Sequence, residues 1–256
     1  MKIDNKEFNK KGFIIVKNFF PKKDINKIIN EFANFNLING KDTYFEKIKN
    51  KKKLRRLERV SDKLPQIKKI IKSKKLKDLL NKLSNKKLTL FKDKLNFKYS
   101  GGAGYNPHID GHYKWIDKNG IKNYGWKKYS NYFLNVVIPV DNVKIKNGCL
   151  YVSSKKNIKK LGKNYHQVIK SLSRYNYEIP KKINKKIKYY PIELNSGDIL
   201  FFDWKCPHFS KKNNSISTRR QIYITYCNPK IPNPRKNYYL DRNNTKSDNK
   251  KLSLLN

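Results

Sequence analysis

The sequence predicts a mainly β fold with flanking helices: a double-stranded β-helix, or jelly roll, with N-terminal helices packed on one sheet. Three observations predict it. Before residue 88 apolar residues recur at helical spacing. From Leu88 to Cys227 they fall into short runs of strand length separated by Gly, Asn and Asp turns. No repeat of solenoid length and no linker divides the 256 residues. The expected organisation is one domain over 1–256: an N-terminal strand and helices over 1–87, a jelly-roll core over 88–227 with insertions at 113–130 and 155–188, and a C-terminal tail over 228–256.

In chain order, Phe8–Phe20 reads as a short turn leading into a strand. Pro21 then opens a helix over 22–35, because proline suits a helix start and Ile25, Ile28, Ile29 and Phe32 share one face. The polar stretch from Asn36 to Asp62 reads as a loop with a helical turn around Leu54–Val60. Leu64–Leu83 returns to helical spacing, with Ile67, Ile70, Ile71, Leu76, Leu79, Leu80 and Leu83 as core contacts.

From Leu88 the period changes to two, so Leu95, Phe97 and Tyr99 face one way and Lys94, Asn96 and Lys98 the other. The insertion 113–130 carries Trp115, Tyr124, Trp126 and Tyr129, rings that either cover an organic substrate as a lid or pin the loop to the core. Asn131–Val140 is a buried strand, and Lys146–Val152 a hairpin turn with its return strand. The second insertion is polar, and its His166 has no carboxylate at ligand spacing. Ile187–Leu194, Asp198–Phe202 and Arg219–Cys227 supply closing strands, and the tail runs over the surface, anchored by Tyr238 and Tyr239.

A formal charge of +42 raises the question of nucleic-acid or anionic-membrane binding. The lysines are spread through nearly every segment, whereas a nucleic-acid footprint clusters on one face, so nonspecific adhesion to polyanions is the expectation. No apolar run approaches bilayer length and Met1–Asn5 has no signal-type apolar core, which places the chain in the cytoplasm. Three cysteines, Cys149, Cys206 and Cys227, sit in apolar runs and read as small buried hydrophobes.

The chemistry is concentrated in Tyr99-Ser-Gly-Gly-Ala-Gly-Tyr-Asn-Pro-His108-Ile-Asp110-Gly-His112. Residues two apart on extended backbone face one side, so His108 and Asp110 can reach one metal as the local half of a 2-His-1-carboxylate triad. His208, beyond the apolar run Asp198–Phe202, is the candidate third ligand. His112 opens a competing His-x-Asp-x-His reading, a zinc or mixed site with hydrolytic chemistry.

Pro107-His-Ile-Asp110, Asn147-Gly-Cys-Leu150 and His208-x-Ser210-x-x-Asn213-x-Ser215 followed by Arg219 together resemble the phytanoyl-CoA dioxygenase family of iron(II)/2-oxoglutarate oxygenases. The likeness spreads over most of the chain. It departs from the family after Val152, where Ser153-Ser-Lys-Lys-Asn157 replaces a Pro-Gly-Ser-His-like segment.

The resemblance implies a cupin-like jelly roll holding Fe(II) on His108, Asp110 and His208, with 2-oxoglutarate and O2 as cosubstrates. It implies Arg219 for the distal carboxylate, a planar guanidinium gripping it in two places, with Ser210 as a further donor. Arg220, its neighbour, would face the other way. The polar face of Lys94, Asn96 and Lys98 is either the inward side of a barrel strand or the solvated side of an edge strand; in the first case Asn96 and Lys98, before Lys94, are further candidate contacts for the cosubstrate. His112, Tyr113 and Trp126 are candidates for the substrate entrance.

The implied reaction is hydroxylation of an unactivated C–H bond of a small organic substrate, releasing succinate and CO2. Related halogenases carry a small residue in place of the ligand carboxylate, and here Asp110 is present. An oxygenase acting on nucleic acid and a non-catalytic jelly-roll binding protein are the rival readings.

Overall fold

The computed structural model describes residues 5–34, 42–117, 119–159, 178–244 and 254–255. Two antiparallel sheets face each other. The larger runs β1 (Phe13–Val16), β11 (Ile199–Asp203), β8 (Ser130–Pro139), β13 (Arg219–Pro229), β4 (Thr89–Lys98), β3 (Lys51–Glu58) and β2 (Thr43–Ile48). The smaller runs β10 (Tyr189–Ile192), β9 (Leu150–Ser153), β12 (His208–Ser210), β5 (Gly104–His108) and β14 (Leu254–Leu255). A hairpin of β6 (Lys114–Ile116) and β7 (Lys122–Tyr124) stands apart from both. This is the jelly roll the sequence predicts.

Helices cover the outer face of the larger sheet. α2 (Lys22–Ala33) follows Pro21, and α4 (Pro65–Lys72) starts on a proline whose missing N–H costs nothing at that position. The stripe Leu64–Leu83 forms two helices: Ser73 takes an extended conformation between α4 and α5 (Lys74–Ser84). Ile25, Ile28, Ile67, Leu76 and Leu80 bury against Leu95, Phe97, Val136, Ile138 and Ile222 of the sheet. Each such side chain contributes roughly 1.5–3 kcal/mol on burial.

Four expectations are corrected. The turn before β1 is a helix, α1 (Asn5–Lys11), held by buried Phe8. The polar stretch before Asp62 is not a loop with a helical turn but the hairpin β2–β3, which turns at Lys49 and Asn50, both at positive φ. Its lysines are exposed, but Glu46, Arg55, Arg56 and Glu58 are buried: Arg55 pairs with Glu46 at 3.3 Å and donates to Tyr105 Oη and the Gly104 carbonyl. Only a short α3 (Val60–Lys63) follows.

β9 does not return beside β8. After β8 the chain crosses to the other sheet, where β9 lies between β10 and β12. The tail is not only a surface run. Its helix α8 (Pro234–Asn244) docks through buried Tyr238 and Tyr239, with Arg235 on Asp93 at 2.9 Å.

Among the described residues the second insertion contributes two short helices, α6 (Lys155–Lys159) and α7 (Lys181–Asn184), and its His166 lies outside those residues. All three cysteines are buried and free. Among the described residues no helix is long and apolar enough to cross a membrane.

Candidate metal centre

The smaller sheet brings the two distant histidines together by strand register. β12 pairs antiparallel with β5 so that His208 lies opposite His108, and the ring centroids are 4.2 Å apart. Asp110 follows β5 by two residues. Its Oδ1 is 3.9 Å from His108 Nε2 and its Oδ2 3.7 Å from His208 Nε2, so one ligand atom from each residue lies within 4.8 Å of the others.

The imidazoles are oriented by the backbone. His108 Nδ1 meets the Asn106 carbonyl at 2.6 Å and His208 Nδ1 the Cys206 carbonyl at 3.0 Å. A carbonyl only accepts, so each Nδ1 carries the hydrogen and each Nε2 keeps its lone pair for the centre of the triad. Asn135, on β8, donates to Asp110 Oδ2 at 2.9 Å and accepts from Thr225 Oγ1 at 2.8 Å.

Burial pushes His108 down to about 3, with His208 adding like-charge repulsion. Burial alone would raise the Asp110 carboxyl, but His208, His108 and Lys94 bring it down to about 2. Near neutral pH His108 is therefore neutral and Asp110 ionised, the protonation states that bind a divalent metal. Two imidazoles and one carboxylate on one side of a centre suit an octahedral iron(II) with open positions.

The inner face of the larger sheet forms the opposite wall. β13 and β4 place Arg219 beside Lys98, Gln221 beside Asn96, Tyr223 beside Lys94 and Thr225 beside Lys92. Arg219 points inward and is 2% exposed, while Arg220 points out and pairs with Asp141 at 2.7 Å. The carbonyl of Gly148 accepts from Lys98 Nζ at 3.2 Å and from Arg219 Nη2 at 2.9 Å. That gives the Asn147-Gly-Cys-Leu150 segment its task. A Cβ at Gly148 would come within 2.5 Å of the Lys211 carbonyl, and its φ is +77°.

Lys98 also donates to Ser210 Oγ at 2.8 Å and to the Lys211 carbonyl at 2.6 Å. Neither Lys98 nor Arg219 pairs with a carboxylate among the described residues. Burial, and then Arg219, hold the Lys98 ammonium well below the usual lysine range. Arg219 Nε, Gln221 Nε2 and Asn96 Oδ1 are buried without a hydrogen-bond partner among the described residues. Two adjacent buried cations, of which Arg219 keeps an unused donor while Lys98 spends its three on Gly148, Ser210 and Lys211, fit a neighbouring anionic group.

A cavity of about 60 Å³ adjoins the triad, lined by His108, Asp110 and His208 and by Asn96, Ser210 and Tyr223 among others; Lys98 and Arg219 do not line it, and Lys98 meets it only through the Ser210 hydroxyl. Trp126 also lines it. His112 and Tyr113 do not. His112 is 3% exposed, stacked on Trp204 with ring centroids 5.0 Å apart and bonded to Tyr124 Oη, and it lies outside the ligand cluster. Tyr113 packs against the aromatic cluster of Trp115, Trp126, Tyr129, Phe133, Trp204 and Tyr238. The rings of the first insertion therefore pin it to the core, and Trp126 alone of the four also meets the cavity.

Sequence reasoning missed Asn135, Arg56 and Lys92. Asn135 is the one polar residue inside the apolar run Phe133–Ile138, and that break was the available signal.

Comparison with known proteins agrees with this arrangement. Residues 8–221 match the family profile described as Phytanoyl-CoA dioxygenase (PhyH). A 2-aminoethylphosphonate dioxygenase from uncultured bacterium HF130_AEPn_1 is 27% identical over 164 residues, 64% of this chain and 55% of that protein. A methylphosphonate hydroxylase from Gimesia maris is 27% identical over 177 residues, 69% of this chain and 59% of that protein. The chain thus matches little more than half the length of these curated relatives.

Among solved structures, EctD from S. alaskensis, crystallised with 2-oxoglutarate and 5-hydroxyectoine, superposes with a TM-score of 0.66 at 14% identity, covering 87% of this chain and 74% of that one. AviO1 from Streptomyces viridochromogenes Tue57 gives a TM-score of 0.63 at 17% identity, covering 89% and 95%. At these identities the likeness is one of fold.

Proposed function

Because the chain belongs to the phytanoyl-CoA dioxygenase family, we propose that it is an iron(II)/2-oxoglutarate-dependent dioxygenase that hydroxylates an unactivated C–H bond of a small organic substrate. In this reading residues 1–256 are one oxygenase domain working in the cytoplasm. The observation that carries it is a triad whose ligand atoms lie within 4.8 Å on a cavity that Asn96 and Ser210 also line, with two buried cations, Lys98 and Arg219, behind that wall and paired with no carboxylate among the described residues. The named relatives, a 2-aminoethylphosphonate dioxygenase and a methylphosphonate hydroxylase, support a small organic substrate.

His108, Asp110 and His208 would hold the iron, and Arg219 with Ser210 and Lys98 the distal carboxylate of 2-oxoglutarate. Iron(II), 2-oxoglutarate and dioxygen together supply an oxidative decarboxylation that yields succinate and CO2 and puts oxygen on the substrate. The chain's own part is positioning and shielding. The Asn106 and Cys206 carbonyls fix the imidazole tautomers, and Asn135 fixes the carboxylate. Leu150, Phe202, Phe209 and Trp126 give the cavity apolar walls that keep bulk water from the reacting atoms.

The test is an anaerobic titration of the purified protein with iron(II) and then 2-oxoglutarate, read by the visible charge-transfer band of the ternary complex. A metabolite screen for substrate-dependent succinate follows. Saturable uptake of both, lost in His108→Ala and Asp110→Ala, is the expected result; protein that takes up neither would end the oxygenase reading.

A further inference from the structure

Beyond the reaction class, the cavity carries a second group of cations that the iron and 2-oxoglutarate leave unmatched. Arg56 on β3 and Lys92 and Lys94 on β4 line the same cavity as His108, Asp110 and His208. The carboxylate that pairs within the group is Glu58, which Arg56 meets at 3.2 Å, Lys92 at 4.0 Å and Arg242 of α8 also contacts, while Asp110, the triad carboxylate, acts on Lys94 and Lys92 from across the cavity. The Glu58 charge is thus shared by Arg56, Lys92 and Arg242, and the Asp110 charge is the one a metal would take. The Lys94 side chain has no hydrogen bond or ion pair among the described residues; its ammonium lies 5.3 Å from the centroid of the Tyr223 ring.

This group is separate from the pair that fits 2-oxoglutarate. Lys94 stands four residues along β4 from Lys98, about 13 Å at the usual strand rise. It is also two strands, about 10 Å, from β8, where Asn135 holds Asp110. Arg219, Ser210 and Gly148 surround the Lys98 end, whereas Arg56, Tyr105 and Tyr223 surround Lys94. A cosubstrate extending from the triad to Arg219 would leave the β3–β4 side of the cavity open.

Resting on the oxygenase reading, we propose that Lys94, with Lys92 and Arg56, is the recognition site for an anionic head group of the substrate, a phosphonate, phosphate ester or carboxylate carried close to the carbon that is oxidised. A compact oxyanion there neutralises the surplus charge and gives the Lys94 donors partners. The surplus is felt by the neighbours. Burial, Arg56 and Lys92 push the Lys94 ammonium down to about 7. Tyr105, which burial alone would raise, is brought down to about 7 by Arg55, Arg56 and Lys94. Tyr105 Oη already accepts from Arg55 at 3.1 Å and Arg56 at 3.3 Å, so these arginines are held in place while Lys94 is not.

The test uses full-length protein loaded with iron(II) and saturating 2-oxoglutarate under anaerobic conditions, titrated calorimetrically with methylphosphonate, inorganic phosphate and acetate in separate arms. The expected result is saturable binding of at least one anion, weakened tenfold or more in Lys94→Met and restored to within threefold in Lys94→Arg, with the 2-oxoglutarate affinity of both variants changed less than twofold. The arm that binds most tightly identifies the head group. Lys92→Met provides a second reading should Lys94→Met fold poorly, with a loss in the same direction.

Wild-type protein that binds none of the three anions, or binds them unchanged in both methionine variants, overturns the proposal. So does a Lys94→Met variant that loses 2-oxoglutarate, since Lys94 would then serve the cosubstrate. Failure of wild-type protein to take up 2-oxoglutarate is seen in the loading step itself and overturns the underlying oxygenase reading instead.

Discussion

Asn135 donates its amide hydrogen to Asp110 Oδ2 at 2.9 Å while accepting from the Thr225 hydroxyl at 2.8 Å, so a residue of the larger sheet sets the direction of a ligand that belongs to the smaller one. The two sheets are thereby tied together at the metal centre. Groups that orient a metal ligand typically account for about 10–100-fold in metal affinity. Asn135→Leu keeps the side-chain volume and removes both bonds. It is expected to weaken iron(II) binding by about that factor, while the circular dichroism of the apoprotein stays that of the wild type. Unchanged iron affinity would mean that Asp110 is held well enough by its own turn.

Arg219 and Lys98 are two like charges buried side by side, an arrangement that is costly until an anion arrives. Arg219→Met should therefore act in opposite directions on two measurements. Truncating one partner of a buried charge pair costs about 2–5 kcal/mol, which is about 30-fold or more in 2-oxoglutarate dissociation constant. Without 2-oxoglutarate the same substitution relieves repulsion, so the melting temperature of the apoprotein is expected to stay level or rise. A fall in both would show that Arg219 is chiefly a structural strut through Gly148 and Gln221.

Much of this site was legible because its residues are rare and spaced. Four histidines occur in the chain, and His108, Asp110, His208 and Arg219 stand at positions whose period or motif gives them direction. The alternation along β4 separated Leu95 and Phe97 from Lys94, Asn96 and Lys98 correctly, because one face had a core to join. The hairpin β2–β3 was hidden by its charge. Arg55, Arg56 and Glu58 lie in the stretch that reads as a helical turn after a polar loop, and their burial in a strand depends on partners that no local window shows: Tyr105 on the opposite sheet and Arg242 in the C-terminal helix. That helix was hidden in turn by its Pro and Asn content, since Tyr238 and Tyr239 gain their meaning only from the aromatic cluster they close. Strand order was the other gap: nothing in the residues after Pro139 says that β9 crosses to the far sheet.

The first insertion turns on two glycines in contact. A Cβ at Gly125 would lie 1.6 Å from the Gly111 carbonyl oxygen, and Trp126 N–H donates to that same oxygen at 3.2 Å. Both glycines have positive φ, +49° at Gly125 and +70° at Gly111. Gly125→Ala adds a backbone clash to a strained φ and should destabilise the fold by at least about 2 kcal/mol. Gly120→Ala is its control: φ is also positive, +80°, but the space beside it is open. Chemical denaturation of the two variants gives the difference, and equal losses would show that strain rather than crowding governs the insertion.

His112 sets a pH dependence whose sign follows from its burial. The ring is 3% exposed against Trp204, and burial, followed by Lys127, pushes it down to about 4 from an ordinary value of 6.5. Above pH 6.5 both folded and unfolded chains hold it neutral and it contributes no slope. Between pH 6.5 and 4 the unfolded chain binds a proton that the folded chain refuses, so stability falls as pH falls; below 4 both are protonated and the slope ends. The full loss is about 3 kcal/mol at 1.36 kcal/mol per pH unit. His108, pushed down to about 3, steepens the metal-free wild type in the same direction. His112→Phe keeps the stack on Trp204 and removes the titration, so its apoprotein should lose about 3 kcal/mol less than the wild type between pH 7 and 4. Parallel curves for the two proteins, measured by urea unfolding at each pH, would show that the imidazole reaches water when it protonates.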